Sequence, residues 1–206
     1  MRSLLAVACA CAGASVIVFL IWFLGSTNPK TPAGYVGYLT QGAVFGKSQF
    51  YGLQTGPASP GRTWMLEVTN VSITPYTYTE AFTVQDNNAV LAKDNLTVAF
   101  NIHLVWKVRP YQVKEVIEKY STLEISASSN EIVQVAYNNF VKEPLRTYAR
   151  DEVQQRDGLA LKAEITQIGN ALLSRVTELT AKTPFEVVSV VVGNILLVKP
   201  GEKMPL

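Results

Sequence analysis

Cysteine and histidine are almost missing from this chain. Its 206 residues include two cysteines, Cys9 and Cys11, and one histidine, His103. From residue 12 onward there is no cysteine, so that part has no disulfides and none of the usual cysteine–histidine metal or nucleophile sites. Charge is sparse too, at 17% of residues, below the usual quarter or so. The 18 Lys and Arg nearly balance the 16 Asp and Glu, for a net +2. A protein that binds nucleic acid through its phosphates needs a basic excess, and none is present. The length suits one domain with a proper core plus an attachment, and is too short for two large domains.

What the chain does have is one long apolar run. Residues 3–29 carry no charged side chain, and the 21 residues from Leu4 to Leu24 read LLAVACACAGASVIVFLIWFL. As a helix this stretch rises roughly 31 Å, close to the ~30 Å hydrocarbon core of a bilayer. The sequence therefore predicts a retained single-span anchor over residues 1–25, with Leu4, Val16, Phe19, Trp22 and Leu24 meeting lipid and Trp22 at the far interface. A cleaved signal peptide is the competing reading, but the run is long for one and its most apolar half lies late. A lipoprotein reading at Cys9 or Cys11 leaves too short an apolar run before the cysteine. Both cysteines read as small apolar filler, with reversible acylation as the alternative. Arg2 and the α-amino group precede the span and Lys30 follows it, which favours a cytoplasmic N-terminus with the domain on the far side.

Residues 26–62 are rich in glycine and proline and read as a membrane-proximal connector with the first strands. Tyr35, Tyr38, Phe45, Phe50 and Tyr51 are expected as interfacial aromatics. The segment GYVGYLTQGAVFG lacks the Lys-Ser/Thr of a phosphate loop and has no strand–loop–helix pattern around it. Residues 63–199 form the main domain and 200–206 a tail. In LTVAFNIHLVWKV, residues Val98, Phe100, Ile102, Leu104, Trp106 and Val108 share one face, and Asn101, His103 and Lys107 share the other. WMLEVTNVSIT and YTYTEAFTVQ read as neighbouring strands of an antiparallel meander, punctuated by turns at Asp86–Asn88 and Lys93–Asn95.

After Arg109 the period becomes helical. Val113, Val116, Ile117 and Tyr120 mark a short helix starting at Pro110, against which the Phe100–Trp106 face is expected to pack. A helical stretch runs from Asn130 to Tyr148, restarted or kinked by Pro144. Asp157 can cap a further helix with the stripe Ile165, Ile168, Leu172, Val176 and Leu179. FEVVSVVVGNILLV, residues 185–198, reads as a strand buried on both faces. The fold class is α+β, an antiparallel-rich sheet packed on helices behind an N-terminal transmembrane helix.

Little here suggests catalysis. His103 falls on the polar face of its strand. The carboxylate pairs Asp86 with Asp94 and Asp151 with Glu152 suit turn hydrogen bonds and helix ion pairs. Asn70-Val71-Ser72 and Asn95-Leu96-Thr97 match glycosylation sequons, which arise often by chance. No catalytic, cofactor or metal residue is assigned. Arg146, Arg150 and Arg156 interleave with Glu143, Asp151, Glu152 and Asp157. One protomer's Arg146, Arg150 and Arg156 could thus meet a neighbour's Asp151 and Glu152, making these five the candidate oligomer interface.

The order of these features resembles the band 7 or SPFH family of stomatins, prohibitins, flotillins and the bacterial HflK–HflC pair. GYVG opens the domain and GPASPG follows. VQDNNAVLAKDNLTVAFNIHLVWKVRP is similar to the family's acidic turn, long alternating strand and terminal proline. YNNFVKEPLRTYARDEVQQRD is similar to its arginine-bearing helix, and FEVVSVVVGNI to its last strand. The resemblance spans roughly Pro32 to Pro200. It implies a membrane-tethered scaffold with no enzymatic activity. Such a scaffold self-associates with SPFH copies or relatives on a bacterial or mitochondrial inner membrane and regulates membrane proteases or channels. Relatives usually continue into a coiled-coil helix that walls a cage. The sequence holds eight residues past Val198 and does not include that helix, which marks either a shortened member or a piece of a longer chain, so the closed cage is not among what the resemblance implies here. Two other classes remain: a tethered binding module, which needs a large apolar pocket, and an anchored hydrolase, which needs a convergent polar cleft.

Overall fold

The computed structural model describes residues 2–43, 46–84, 88–120 and 129–198, with side chains described from Ala12 and, after the 121–128 segment, from Ile132. Leu4, Cys9, Cys11, Phe45, Asp86 and the 200–206 tail therefore lie outside what is described of side chains or backbone. The chain forms two compact units, residues 1–71 and 72–206.

The first unit begins with helix α1, Arg2–Gly25. Strand β1 (Ser26–Thr27) pairs antiparallel with β4 (Thr63–Trp64). Strands β2 (Tyr35–Gln41) and β3 (Gln49–Thr55) form a hairpin with a bulge at Leu39/Thr40, and β5 (Leu66–Ser72) flanks β2 in the order β3-β2-β5. β2 is the buried strand, with Val36, Tyr38 and Leu39 in the core. Tyr38, expected at an interface, is a core residue instead. The central strand of three is covered on both edges, and its ring packs on Phe50 at 4.9 Å.

The second unit is built on strand β8, Thr97–Val108. β9 (Phe185–Val198) pairs antiparallel along its whole length. β6 (Tyr76–Phe82) pairs with residues 100–106 and β7 (Val90–Leu91) with residues 97–98, so β6 and β7 follow one another along the other edge. The expected meander is thus corrected. β5 belongs to the first unit's sheet, and β6 and β7 form one edge track interrupted by the chain's excursion between them. The excursion folds back through bonds from Asn88 N and Ala89 N to Thr83 O.

The alternation of β8 places Val98, Phe100, Ile102, Leu104, Trp106 and Val108 in the core, each at most 2% exposed. The aromatic rings that meet them come from three elements. Tyr137 lies 5.9 Å from Trp106, Phe185 lies 4.4 Å from it, and Phe82 stacks on Phe100 at 4.4 Å. Tyr137 belongs to α3 (Ser129–Phe140), so α3 also packs a ring on this strand. The Pro110 segment is a 3₁₀ turn, a short α2 (Val113–Glu115) and a π turn, and it contributes Val113 and Val116 to the core.

Helix α4 (Lys142–Gln154) restarts the chain at Val141, with Pro144 in its first turn, where no intrahelical N–H is required. Helix α5 (Ile165–Thr180) has its N-cap at Glu164, seven residues after the cap expected near Asp157, because 157–164 makes its own turns. Its stripe is intramolecular core: Ile168, Leu172 and Val176 are fully buried. β9 differs from expectation as well. Among the described residues it pairs with β8 alone, so it is an edge strand, and Val191 and Leu196 face outward at 53% and 47% exposure.

Candidate functional site

Two groups of residues could connect this molecule to a membrane or a partner. The first is where α1 leaves the first unit. From Val16 to Leu24 every large apolar side chain of α1 is exposed, between 43% and 81%, and these include Val16, Phe19, Trp22 and Leu24. The helix end is stitched to the sheet without a linker. Gly25 O accepts from Met65 N at 2.8 Å, Ser26 faces Trp64 in the β1–β4 ladder, and Thr27 Oγ1 donates to Leu66 O. The Arg62 guanidinium lies 4.1 Å over the Phe23 ring. Glycine is required at 25, because a Cβ there would lie 2.6 Å from the Trp64 ring. An exposed apolar helix ending in Trp22, with a cation over its last aromatic, has the layout of a segment meeting a bilayer interface. Among the described residues no helix is long and apolar enough to cross a membrane, the described side chains of α1 starting at Ala12. On β3, Phe50, Tyr51 and Leu53 are also exposed.

The second group is the charged face of α4. Glu80 sits on the core face of β6, opposite Ile102 and only 8% exposed. Tyr137 Oη donates to its carboxylate at 2.9 Å, and Arg146 Nε lies 3.2 Å from it. Arg146 also pairs with Glu143 at 3.4 Å. Burial, then the bond to Glu80, then the Glu80 and Tyr78 charges raise the Tyr137 hydroxyl far above its usual range, against the opposing charge of Arg146. Tyr78 stacks on Tyr137 at 4.0 Å, and its hydroxyl is pushed up to about 12, by burial first and Tyr76 second, with the Trp106 indole opposing.

A second network lies further along the helix. Arg156 pairs with Glu152 at 2.6 Å and Glu164 at 3.0 Å. Arg175 of α5 reaches Asp151 at 3.1 Å and Glu152 at 3.6 Å, and stacks over Tyr148. Of the five residues expected at an interface, Arg146, Arg156, Asp151 and Glu152 are thus engaged within the chain. Arg150 has no ion pair among the described residues, and lies 5.8 Å from the Phe82 ring. Sequence reasoning missed Glu80, Tyr137 and Arg175. Glu80 was detectable: it falls among Tyr76, Tyr78 and Phe82 on one strand face, and a carboxylate there demands a partner.

Two further polar contacts hold a turn and a strand pair. Asp94 accepts from Gly158 N at 3.1 Å, and His103 Nδ1 bonds Thr79 Oγ1 at 2.9 Å. Among the described residues no cluster of His, Cys, Asp or Glu could hold a metal.

A family model described as SPFH domain / Band 7 family matches residues 29–199. The chain belongs to this family. The match includes the glycine-rich strands of the first unit as well as the whole described part of the second. No curated protein matches the chain at a significant level.

Proposed function

We propose that this SPFH protein is a non-enzymatic, membrane-anchored scaffold. In this reading α1 spans the bilayer once, with its N-terminus on the cytoplasmic side of a bacterial or mitochondrial inner membrane. The first unit rests on the lipid surface. Copies, alone or with other SPFH proteins, associate laterally and organise membrane proteins such as proteases or channels. The observation that carries the reading is the exposed apolar α1 joined without a linker to the first sheet through Gly25, β1 and β4. An anchor confines the copies to one plane, so weak lateral contacts act at high effective concentration. Family membership supports the same role.

Extraction of the full chain into native lipid discs, followed by mass measurement, tests the proposal. The expected disc holds several copies of a chain with its full N-terminal mass. Loss of roughly the first 25 residues would overturn the anchor. A single copy per disc would overturn self-association and favour the alternative, a tethered binding module. Two grooves described on the second unit hold ≈ 250 and ≈ 260 Å³, each below the roughly 300–1,000 Å³ of ligand pockets. Arg150→Glu is the sharper probe of charge in the contact, since Arg146 and Arg156 also hold the fold together. The substitution should shift the copy number while leaving circular dichroism unchanged.

A further inference from the structure

Charge is divided unevenly between the two units. Residues 1–71 hold four cations, Arg2, Lys30, Lys47 and Arg62, against one carboxylate, Glu67. Among the described residues every ion pair lies in the second unit, so Lys47 and Arg62, both exposed, pair with no carboxylate there. These two cations sit where α1 leaves the first sheet. The Arg62 guanidinium lies 4.1 Å over the Phe23 ring. A guanidinium that stacks through its face keeps its N–H edge for an oxyanion. Capping of α1 does not account for Arg62, because Phe23 O accepts from Ser26 Oγ at 2.9 Å and Gly25 O from Met65 N at 2.8 Å. Lys47 reaches the same end through the backbone. Gly42 N donates to Met65 O at 2.7 Å, which sets the turn end of the β2–β3 hairpin beside the last residue of α1. Lys47 is two residues before Gln49, which pairs with Gln41, and the exposed Phe50 and Tyr51 follow it.

We propose that this end of the first unit is a binding surface for anionic phospholipid headgroups, with Arg62 and Lys47 holding phosphates and Phe23, Phe50 and Tyr51 at the acyl boundary. This rests on the proposal above that α1 enters the bilayer, and it names the lipid chemistry met there. Charge and apolar area together select the occupant. Cations without carboxylate partners, set beside exposed rings, match a layer of phosphates over acyl chains. A single Lys or Arg at an anionic leaflet is worth a preference of roughly five-fold. A nucleic acid or an acidic protein would satisfy the two cations and leave the rings in water.

The three tryptophans supply the probe. Trp22 and Trp64 are at the α1 exit, and Trp106 is fully buried in the second unit. The full chain is placed in phosphatidylcholine discs carrying a minor fraction of brominated phosphatidylglycerol or, separately, of brominated phosphatidylcholine, whose bromines quench nearby indoles. Trp106 should give a constant unquenched emission. The anionic lipid should quench several-fold more strongly than the neutral one at equal fraction. Lys47→Gln with Arg62→Gln should bring the two lipids level. Arg62→Lys should keep most of the preference, and Lys182→Gln, in the second unit, should change nothing. Equal quenching by the two lipids in the unaltered chain, or an undiminished preference in the double variant, overturns this site while leaving the anchor intact. Equal losses in Arg62→Lys and Arg62→Gln overturn the charge argument and assign Arg62 to packing on Phe23. Loss of the preference on adding glycerol phosphate to the buffer overturns the lipid as ligand in favour of a soluble phosphate. An absence of quenching by both lipids overturns the anchor itself.

Discussion

In the first unit the tightest packing is between side chains and glycine, whereas in the second it is between large rings. Gly25 receives the face of Trp64. A Cβ at Gly37 would lie 2.4 Å from Thr31 Oγ1 and 2.6 Å from Val68 Cγ2. The second unit instead fills its centre with Trp106, Tyr137, Phe82 and Phe185, and places one buried carboxylate, Glu80, among them. Adding volume therefore threatens the first unit, and removing or charging volume threatens the second. A thin three-stranded sheet has little interior, so close backbone approach replaces side-chain bulk. A sheet covered by three helices has room for a core in the ordinary sense.

The strongest attack on this contrast is Ile102→Asp. Ile102 is fully buried, and an unpaired charge there should cost upwards of ~4 kcal/mol and unfold the second unit. Hydrogen exchange resolved by segment should show loss of protection throughout β6, β8 and β9. Retained protection would mean the even-numbered face of β8 is not the core.

Arg146→Met ranks next. It leaves Glu80 buried with only Tyr137 as partner, and removing one member of such a pair costs about 3 kcal/mol, less here because Arg146 keeps some contact with water. Denaturant titration should find Arg146→Met less stable than Arg150→Met by most of that amount. Equal values would show that the Glu80 cluster contributes little.

Gly37→Val should cost about 1–3 kcal/mol by overpacking, with faster exchange in β2, β3 and β5 and unchanged exchange in β8. Similar loosening of β8 would erase the contrast between the units.

Alkaline pH probes the ring cluster. The Tyr78 hydroxyl titrates higher in the folded chain, about 12 against the usual 10. Its contribution is complete below about pH 10 and is lost as pH rises through about 12, because the unfolded chain gives up the proton first. Tyr78→Phe should flatten the fall in stability between those values, as followed by thermal melts across the range. An unchanged slope would show that other groups govern alkaline unfolding.

His103→Ala is expected to be the mildest change, under ~0.5 kcal/mol. It removes one exposed bond to Thr79. A cost near that of Ile102→Asp would reverse the face assignment of β8.

The legible parts of the sequence were those with strong local periodicity. The twelve-residue alternation of β8 and the 3.6-residue stripe of α5 each declare a face without reference to the rest of the chain. The less legible parts depended on partners distant in sequence. FEVVSVVVGNILLV has the composition of a central strand, and composition alone cannot show that, among the described residues, only β8 pairs with it. Arg146, Arg150 and Arg156 look alike in the sequence. Only the arrival of Glu80 from β6 against Arg146 and of Glu164 against Arg156 separates these two, which hold the fold, from Arg150, which has no ion pair among the described residues.

The sequence by itself determined the apolar N-terminal helix, the core face of β8, the shortage of groups for chemistry and the order of motifs shared with the SPFH family. Each of these is a property of neighbours in the chain or of counts. The tertiary structure alone decided that β9 pairs with β8 alone among the described residues, which charges are satisfied within the molecule, and that α1 joins its sheet without a linker. These depend on which distant segments meet, and the free energy of a buried carboxylate or an unpaired strand edge is fixed by what stands opposite it.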